Sequence, residues 1–247
     1  MSARLIDAYA HCGLRKYRPY DDVDRILREQ RVERAVLVQH LGEFDNSYIE
    51  GIVAREPHRF AGVFVVDLSA PRVIDDITHW HDTRRFRAIR VPASSLLTHR
   101  GPWYWAAQLG LQFIVYDSPW KYAGALRHFA NQQANNTIVL AHLGLPDFAD
   151  TYSQRITLEL SAHPNICVQI SGMHQFDDPP YRKLSAFIAC LYEAYGADRL
   201  LYGSNFPVMK EESVYALEWD LARRGKLGVP ASAAESFLYA NALRVYF

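Results

Sequence analysis

The sequence has little that would take it out of an ordinary aqueous fold. Nowhere in its 247 residues does an apolar run approach the roughly 18–20 residues needed to cross a bilayer, which counts against a membrane partner. Its charges cancel, with 27 Lys and Arg against 27 Asp and Glu, so no global field draws it to nucleic acid or to an anionic lipid surface. A charged ligand must therefore be recognised locally. Three cysteines, Cys12, Cys167 and Cys190, are odd in number, far apart and not in metal-type pairs. With no secretory leader pattern at the N-terminus either, these features point to a reducing cytoplasm. No linker, repeat or low-complexity segment interrupts the chain, and residues 1–247 read as one domain.

What is there is a large apolar content, 49% hydrophobic and 13% aromatic residues, arranged as a regular alternation. Short apolar or alternating runs at 4–11, 35–38, 60–66, 86–91, 112–116, 137–141, 166–170 and 200–203 read as strands. Between them lie helical patterns near 21–30, 46–55, 71–80, 103–109, 122–132, 151–161, 181–195, 212–224 and 231–245. The first carries Val23, Ile26 and Leu27 as one stripe behind Asp21 and Asp22 as candidate caps. In the second, Ile49, Ile52 and Val53 face inward. Eight strands alternating with helices predict an α/β fold, a TIM-like (β/α)8 barrel, although a doubly wound open sheet gives the same local pattern.

The stretch around 136–147 anchors this reading. Residues 137–141 are short, β-branched and apolar on both faces, as in a fully covered parallel strand, so His142 falls at the C-terminal end. Gly144 and Pro146 turn the chain, and Asp147 suits a turn or a helix cap. In the first strand, alternation puts Leu5, Asp7, Tyr9 and His11 on one face, expected inside the barrel, and Ile6, Ala8 and Ala10 on the other. Nearly every strand ends in a polar or aromatic residue: His11, Gln39, Asp67, Arg90, Tyr116, His142, Ser171 and Asn205. In a barrel these ring one pocket, at the rim that carries chemistry.

Four stretches resemble the amidohydrolase superfamily, in the branch that includes pyrone dicarboxylate lactonases and sugar-lactone lactonases. Ile6-Asp-Ala-Tyr-Ala-His11 is similar to that family's first-strand Asp-x-His-x-His, and Ala141-His-Leu-Gly-Leu-Pro-Asp147 to its His-x-Gly-x-Pro-Asp. Leu201-Tyr-Gly-Ser-Asn-Phe-Pro-Val208 and residues 237–246 match its later motifs. The resemblance implies a metal-dependent-hydrolase-like barrel over almost the whole chain. It also exposes departures. Tyr9 stands where the first metal histidine belongs, Asn205 replaces the usual metal-binding and base aspartate, and Tyr116 takes a position where many metal-dependent relatives have histidine. Only His11 and His142 remain as good ligands, whereas a catalytic zinc normally takes three protein ligands. The expected cofactor is therefore none, the alternative being one zinc or other divalent ion at His11 and His142.

The resemblance to the metal-free lactonase branch implies His142 and His11 as electrophilic or acid groups and Arg90 as a carboxylate or oxyanion clamp. With an amide at Asn205, proton abstraction falls to a histidine poised near neutrality or to a carboxylate such as Asp117. Tyr9 and Asn205 complete the catalytic candidates. Arg90, Tyr116, Gln39, Ser171, His174 and Phe206 are substrate-binding candidates, the aromatic rings offering flat walls. Each has a bland alternative: Tyr9 fills the barrel, Arg90 pairs with Asp67, and Gln169 and His174 merely pack. Trp103, Trp105 and Trp120 form an aromatic lid or cover the barrel. Asp7 orients backbone, and His40, His79, His81, His99 and His128 are surface or packing residues.

The expectation is a hydrolase acting on a small lactone or ester, a carboxylate-bearing ring compound. Two other readings stand beside it: a decarboxylase, dehydratase or ring-rearranging enzyme on the same barrel, for which a lost base is no handicap, and a non-catalytic small-molecule binder. The partner is a small acidic substrate, and a homo-oligomer is compatible with the sequence.

Overall fold

A computed structural model describes residues 4–208 and 211–247; residues 1–3, part of the N-terminal stretch read for a leader, lie outside the described residues. Eight strands follow in chain order: β1 (Ile6–Ala10), β2 (Arg34–Val38), β3 (Phe60–Phe64), β4 (Phe86–Pro92), β5 (Gln112–Tyr116), β6 (Ile138–Leu140), β7 (Ile166–Ile170) and β8 (Leu200–Tyr202). All pairs from β1–β2 to β7–β8 are parallel, and each strand neighbours the next. An open doubly wound sheet would reverse its strand order partway. Instead the sheet curls until its ends meet just past β8, where Ala10 bridges Phe206, His11 N donates to Phe206 O at 2.7 Å and Asn205 N to Tyr9 O at 2.8 Å.

The crossovers are helical: α1 (Tyr20–Glu29), α2 (Ser47–Arg55), α3 (Val73–Asp82), α4 (Ser95–Thr98), α5 (Arg100–Gln108), α6 (Ala123–Gln132), α7 (Thr151–Glu159), α8 (Arg182–Tyr195), α9 (Glu212–Arg223) and α10 (Asn241–Tyr246). The stripe on α1 docks as expected, with Val23, Ile26 and Leu27 all buried, each worth about 2 kcal/mol in water-excluded area. Helix capping departs from expectation. Pro19 precedes α1 and no side chain caps it, so Asp21 and Asp22 sit in its first turn, where they suit the positive end of the helix dipole. Asp150, not Asp147, caps α7 by accepting from Tyr152 N, while Asp147 accepts from Ala149 N within the preceding turn. The closing segment expected as one helix over 231–245 is broken into a 3-10 turn (Ala231–Ala233), a π-turn (Ser236–Ala240) and α10.

Two apolar layers result. Val36, Val38, Val63, Ala88, Ile114 and Val139 fill the barrel, floored by Tyr239, Ala242 and Tyr246 from the closing segment. Leu37, Phe64, Phe113, Leu140 and Val168 face the helices. The first strand does not alternate strictly. Its register to β2 shifts between Asp7 and Ala10, a bulge that inserts one extra residue. Ile6 and Ala8 therefore pack in the barrel, contrary to the face expected of them, and Tyr9 joins them, while Ala10 turns outward.

Asp7 leaves the barrel interior as well. Its carboxylate accepts from Ser204 N at 2.9 Å, Ser204 Oγ at 2.6 Å, Tyr215 Oη at 3.0 Å and Tyr9 N at 3.1 Å. Burial raises its pKa and these donors oppose the rise. Nearby on the same side, Glu218 accepts from Tyr181 Oη at 2.6 Å, and burial pushes it up to about 8. One acceptor thus satisfies the bulge, the β8 exit and α9. Asp7→Ala leaves these donors buried and unpaired, and we expect it to cost at least about 3 kcal/mol, read as a lower midpoint in urea unfolding, with Asp7→Asn intermediate.

Candidate active site

The C-terminal strand ends bring most of the expected residues together, and local backbone aims them. His142, Leu143 and Asn205 have φ of 51°, 60° and 58°, a left-handed conformation that costs a non-glycine residue roughly 1–2 kcal/mol; asparagine bears it best. Such strain persists where packing over-determines it. The neighbouring glycines leave the space: a Cβ on Gly203 would lie 2.5 Å from Tyr9 Cβ, and one on Gly172, itself at φ 60°, would lie 2.8 Å from His142 Nδ1.

Tyr9 stands at the centre. Its ring meets His11 edge-on at 5.1 Å and His142 at 4.9 Å, and the Arg90 guanidinium lies 5.6 Å from the ring centre. The phenol is fully buried, and its oxygen has no hydrogen-bond partner among the described residues. Burial pushes its pKa up to about 12, with Arg90 pulling the other way, so it holds its proton at neutral pH. His11 Nδ1 lies 2.6 Å from Val38 O. A carbonyl only accepts, so Nδ1 carries the proton and the neutral ring keeps its lone pair on Nε2, while the nearby Asn205 side chain favours the charged imidazole and so opposes the lowering of its pKa. Ser171 Oγ sits 2.9 Å from His142 Nδ1.

Arg90 is 8% exposed and lies 4.9 Å over the Tyr116 ring. Its terminal nitrogen donates to Gln39 O at 3.1 Å, and Nε is buried without a partner among the described residues. Asp67, considered as its counter-ion, is instead bound by Ser69 N at 2.9 Å and Ser69 Oγ at 2.6 Å. Among the described residues no carboxylate forms an ion pair with Arg90. A groove of about 330 Å³ opens from Arg90 and Tyr116 past Asp67, Ser94, Thr98 and His99, which makes His99 a groove residue and not simply a surface one.

Burial, reinforced by Arg90, lowers both His11 and His142 to about 3. That corrects the expectation of a histidine poised near neutrality: both are neutral and weakly basic. His174 is close enough to add to the lowering at His142, and its own Nδ1 is buried and unpartnered.

Two expected contacts are not made. Gln39 turns its amide away, donating to Asp45 O at 2.8 Å and accepting from His40 N at 3.0 Å; it offers the site its carbonyl oxygen. Phe206 packs outside the barrel against Tyr215, ring centres 5.7 Å apart, because the turn that aims Asn205 inward points its neighbour outward. Of the tryptophans, Trp103 is core, donating to Ser95 Oγ at 2.7 Å, Trp105 bonds Thr78, and Trp120 alone braces a rim loop through Leu145 O. Asp117 has no hydrogen bond to either histidine. Tyr17 was missed. From the exposed loop before α1 it stacks on His11 at 4.6 Å and 19°, roofing the site. No periodicity marks it, because loop residues reach a site by chain path and not by phase.

The model of the amidohydrolase family (Amidohydro_2) matches residues 9–247. The chain belongs to the amidohydrolase family. A curated relative, the L-fucono-1,5-lactonase of Burkholderia ambifaria, is 27% identical over 205 residues, covering 76% of this chain and 70% of its own. An amidohydrolase of Burkholderia multivorans, solved with bound zinc, superposes with a TM-score of 0.80 at 19% identity over 99% of both chains. A probable 2-pyrone-4,6-dicarboxylic acid hydrolase of Acinetobacter baumannii, solved with citric acid bound, gives 0.74 at 18% identity over 98% of both. At these identities the solved structures bear on the fold, and the family makes this chain an enzyme of hydrolase type.

Although a solved amidohydrolase holds zinc, this donor set does not suit a resident catalytic ion. Among the described residues no group of three or more His, Cys, Asp or Glu could hold a metal. His11 and His142 stand beside an uncompensated guanidinium, and Asn205 adds no negative charge.

The depressed imidazoles carry a stability consequence with a definite sign. Their folded pKa values of about 3 lie below the unfolded value of about 6.5, so between those limits the unfolded chain binds more protons and stability falls as pH drops. We expect Tm to decline from pH 6.5 towards pH 4, and the slope to flatten in His142→Gln. An equal slope in that variant would assign the acid limb to other groups.

Proposed function

We propose that this enzyme hydrolyses small lactones bearing a carboxylate or other acidic ring substituent, without a tightly held metal. The observation that carries the proposal is Arg90: a guanidinium over nine-tenths buried, among neutral phenols and imidazoles, with no carboxylate partner among the described residues. A buried charge left unpaired is costly, and an anion arriving from the groove would pair with it. The relatives named for lactone and pyrone-dicarboxylate hydrolysis support the same substrate class.

In this reading the lactone's acid group enters along Tyr116 to Arg90, and its carbonyl oxygen takes hydrogen bonds from Tyr9 Oη and Arg90 Nε, donors that otherwise stay buried and unpaired. Water attacks the carbonyl carbon while His11 Nε2, oriented by Asn205, takes its proton. The ring carbon–oxygen bond then breaks, and His11 returns the proton to the leaving oxygen, giving a hydroxy acid. The lowered basicity of His11 is partly the work of Arg90. An anionic substrate cancels that effect, so the base strengthens only when the right ligand is bound. His142, fixed by Ser171, donates or accepts on the opposite side of Tyr9, and His174 lies behind it. Phenol and guanidinium together supply the polarisation that a metal supplies elsewhere.

We expect Arg90→Ala to lower kcat/KM for acidic lactones by about 10²–10³-fold and Tyr9→Phe to lower kcat by about 10–100-fold with little change in KM, both read by acid release in a pH-stat. Full activity of both variants, or equal turnover of uncharged esters by the parent enzyme, would refute the reading. Dialysis against chelator should leave activity unchanged. One zinc per chain, lost together with activity when His11 or His142 is replaced, would overturn the metal-free part.

A further inference from the structure

The rim opposite the active site carries a concentration of positive charge that the catalytic reading does not use. A recess of about 280 Å³ is lined there by Arg34 at the start of β2, His58 before β3, and Arg84, Arg85 and Arg87 around the start of β4, with Phe247 at one side. Several arginines elsewhere on this electrically neutral chain sit tightly on carboxylates: Arg25–Glu29 at 2.9 Å, Arg59–Asp24 at 2.7 Å, Arg155–Glu159 at 2.8 Å. In the recess the same side chain is left poorly compensated. Arg34 and Arg85 have their nearest carboxylates at 4.0 and 3.9 Å, and among the described residues Arg84 and Arg87 make no side-chain hydrogen bond or ion pair.

The backbone adds a second observation. Arg84 has φ of 61°, in the turn between α3 and β4; the corresponding turns before β5 and β8 use Gly110 at 79° and Gly196 at 72°, and the turn before β2 uses Arg31 at 57°. Glycine takes that conformation without steric cost. Arg84 bears it at a steric cost, and its side chain lines the recess.

We infer that this recess is a second ligand site, for a phosphate-type dianion held by the forked donors of Arg84, Arg85 and Arg87 across the turns that lead into β2, β3 and β4. Guanidinium groups match the paired oxygens of phosphate, and several around one recess place positive charge where no single ion pair on the surface does. The strand ends it touches are on the far side of the barrel from Arg90, so an occupant there would act on the fold and not compete with substrate.

Calorimetric titration at low ionic strength tests this with inorganic phosphate and, separately, a nucleoside monophosphate, on the full chain. We expect binding that weakens with added salt and falls at least tenfold in Arg84→Gly/Arg87→Ser, while Arg90→Ala binds as the parent does. Arg84→Gly alone relieves the left-handed strain, so its Tm without phosphate should hold or rise while the phosphate-dependent rise in Tm shrinks; a side chain that was merely structural would give the reverse. Tighter binding of the nucleotide points to an organic phosphate as the occupant, and equal or weaker binding to free phosphate; both support the site. Binding abolished by Arg90→Ala but kept in the double variant, or no heat at millimolar phosphate, would overturn it.

Discussion

The closure of the barrel rests on one buried carboxylate. Asp7 accepts from a bulged backbone on β1, from the chain leaving β8, and from a tyrosine on α9, and so ties three elements at one point, beside the backbone bonds of His11 and Asn205 across the same seam. A parallel barrel has to join its first and last strands, and here β8 is only three residues long. The ladder alone is short, and the carboxylate extends it. Because the acceptor sits outside the barrel, it also draws its strand neighbours out of strict alternation, which turns Tyr9 inward beside His11 and fixes the start of the turn that carries Asn205. The position of the catalytic candidates is therefore a by-product of how the sheet is closed.

Inside the pocket the organising quantity is charge. The side chains around Arg90 are neutral: Tyr9 is held protonated by burial, and His11 and His142 are held unprotonated by burial and by the guanidinium itself. The site is thus a buried cation surrounded by neutral donors, an environment that favours an entering anion and gains in basicity when one arrives. A metal-centred amidohydrolase pocket works with the opposite balance, acidic ligands around a dication. Tyr9 and Asn205 stand where the resemblance leads one to expect a histidine and an aspartate, so negative charge and lone pairs are missing from the same few ångströms in which Arg90 has no ion pair among the described residues.

Much of this was legible in the chain. Periodicity placed all eight strands, because apolar runs of five or so residues between amphipathic helices have few other solutions, and the polar residue closing each run marked the rim where the candidate site gathers. His11, Arg90, Tyr116, His142, Ser171 and Asn205 were found that way, since a strand end is a position that sequence phase can locate. The misses have a common physical cause. Asp7 and Ile6 swapped faces because a single extra residue at the bulge inverts a period of two. Gln39 and Phe206 stand at the right heights but on the wrong side, since their side chains satisfy loop carbonyls and an outer cluster. Tyr17 belongs to no period at all.

What the sequence determined by itself, then, is the architecture and the chemical inventory: an eight-fold βα alternation, two histidines, an arginine, and neutral groups where metal ligands would be expected. The alternation and the residue types follow from local periodicity, which needs no neighbours to be read, and the missing ligands from the resemblance to the amidohydrolase motifs. Only the tertiary structure decided that Arg90 lacks a carboxylate, that the histidines are held far below neutrality, and that a tyrosine from a loop roofs the pocket. Each depends on which distant segments meet, and on how far water is excluded where they do, quantities that exist only once the barrel is closed.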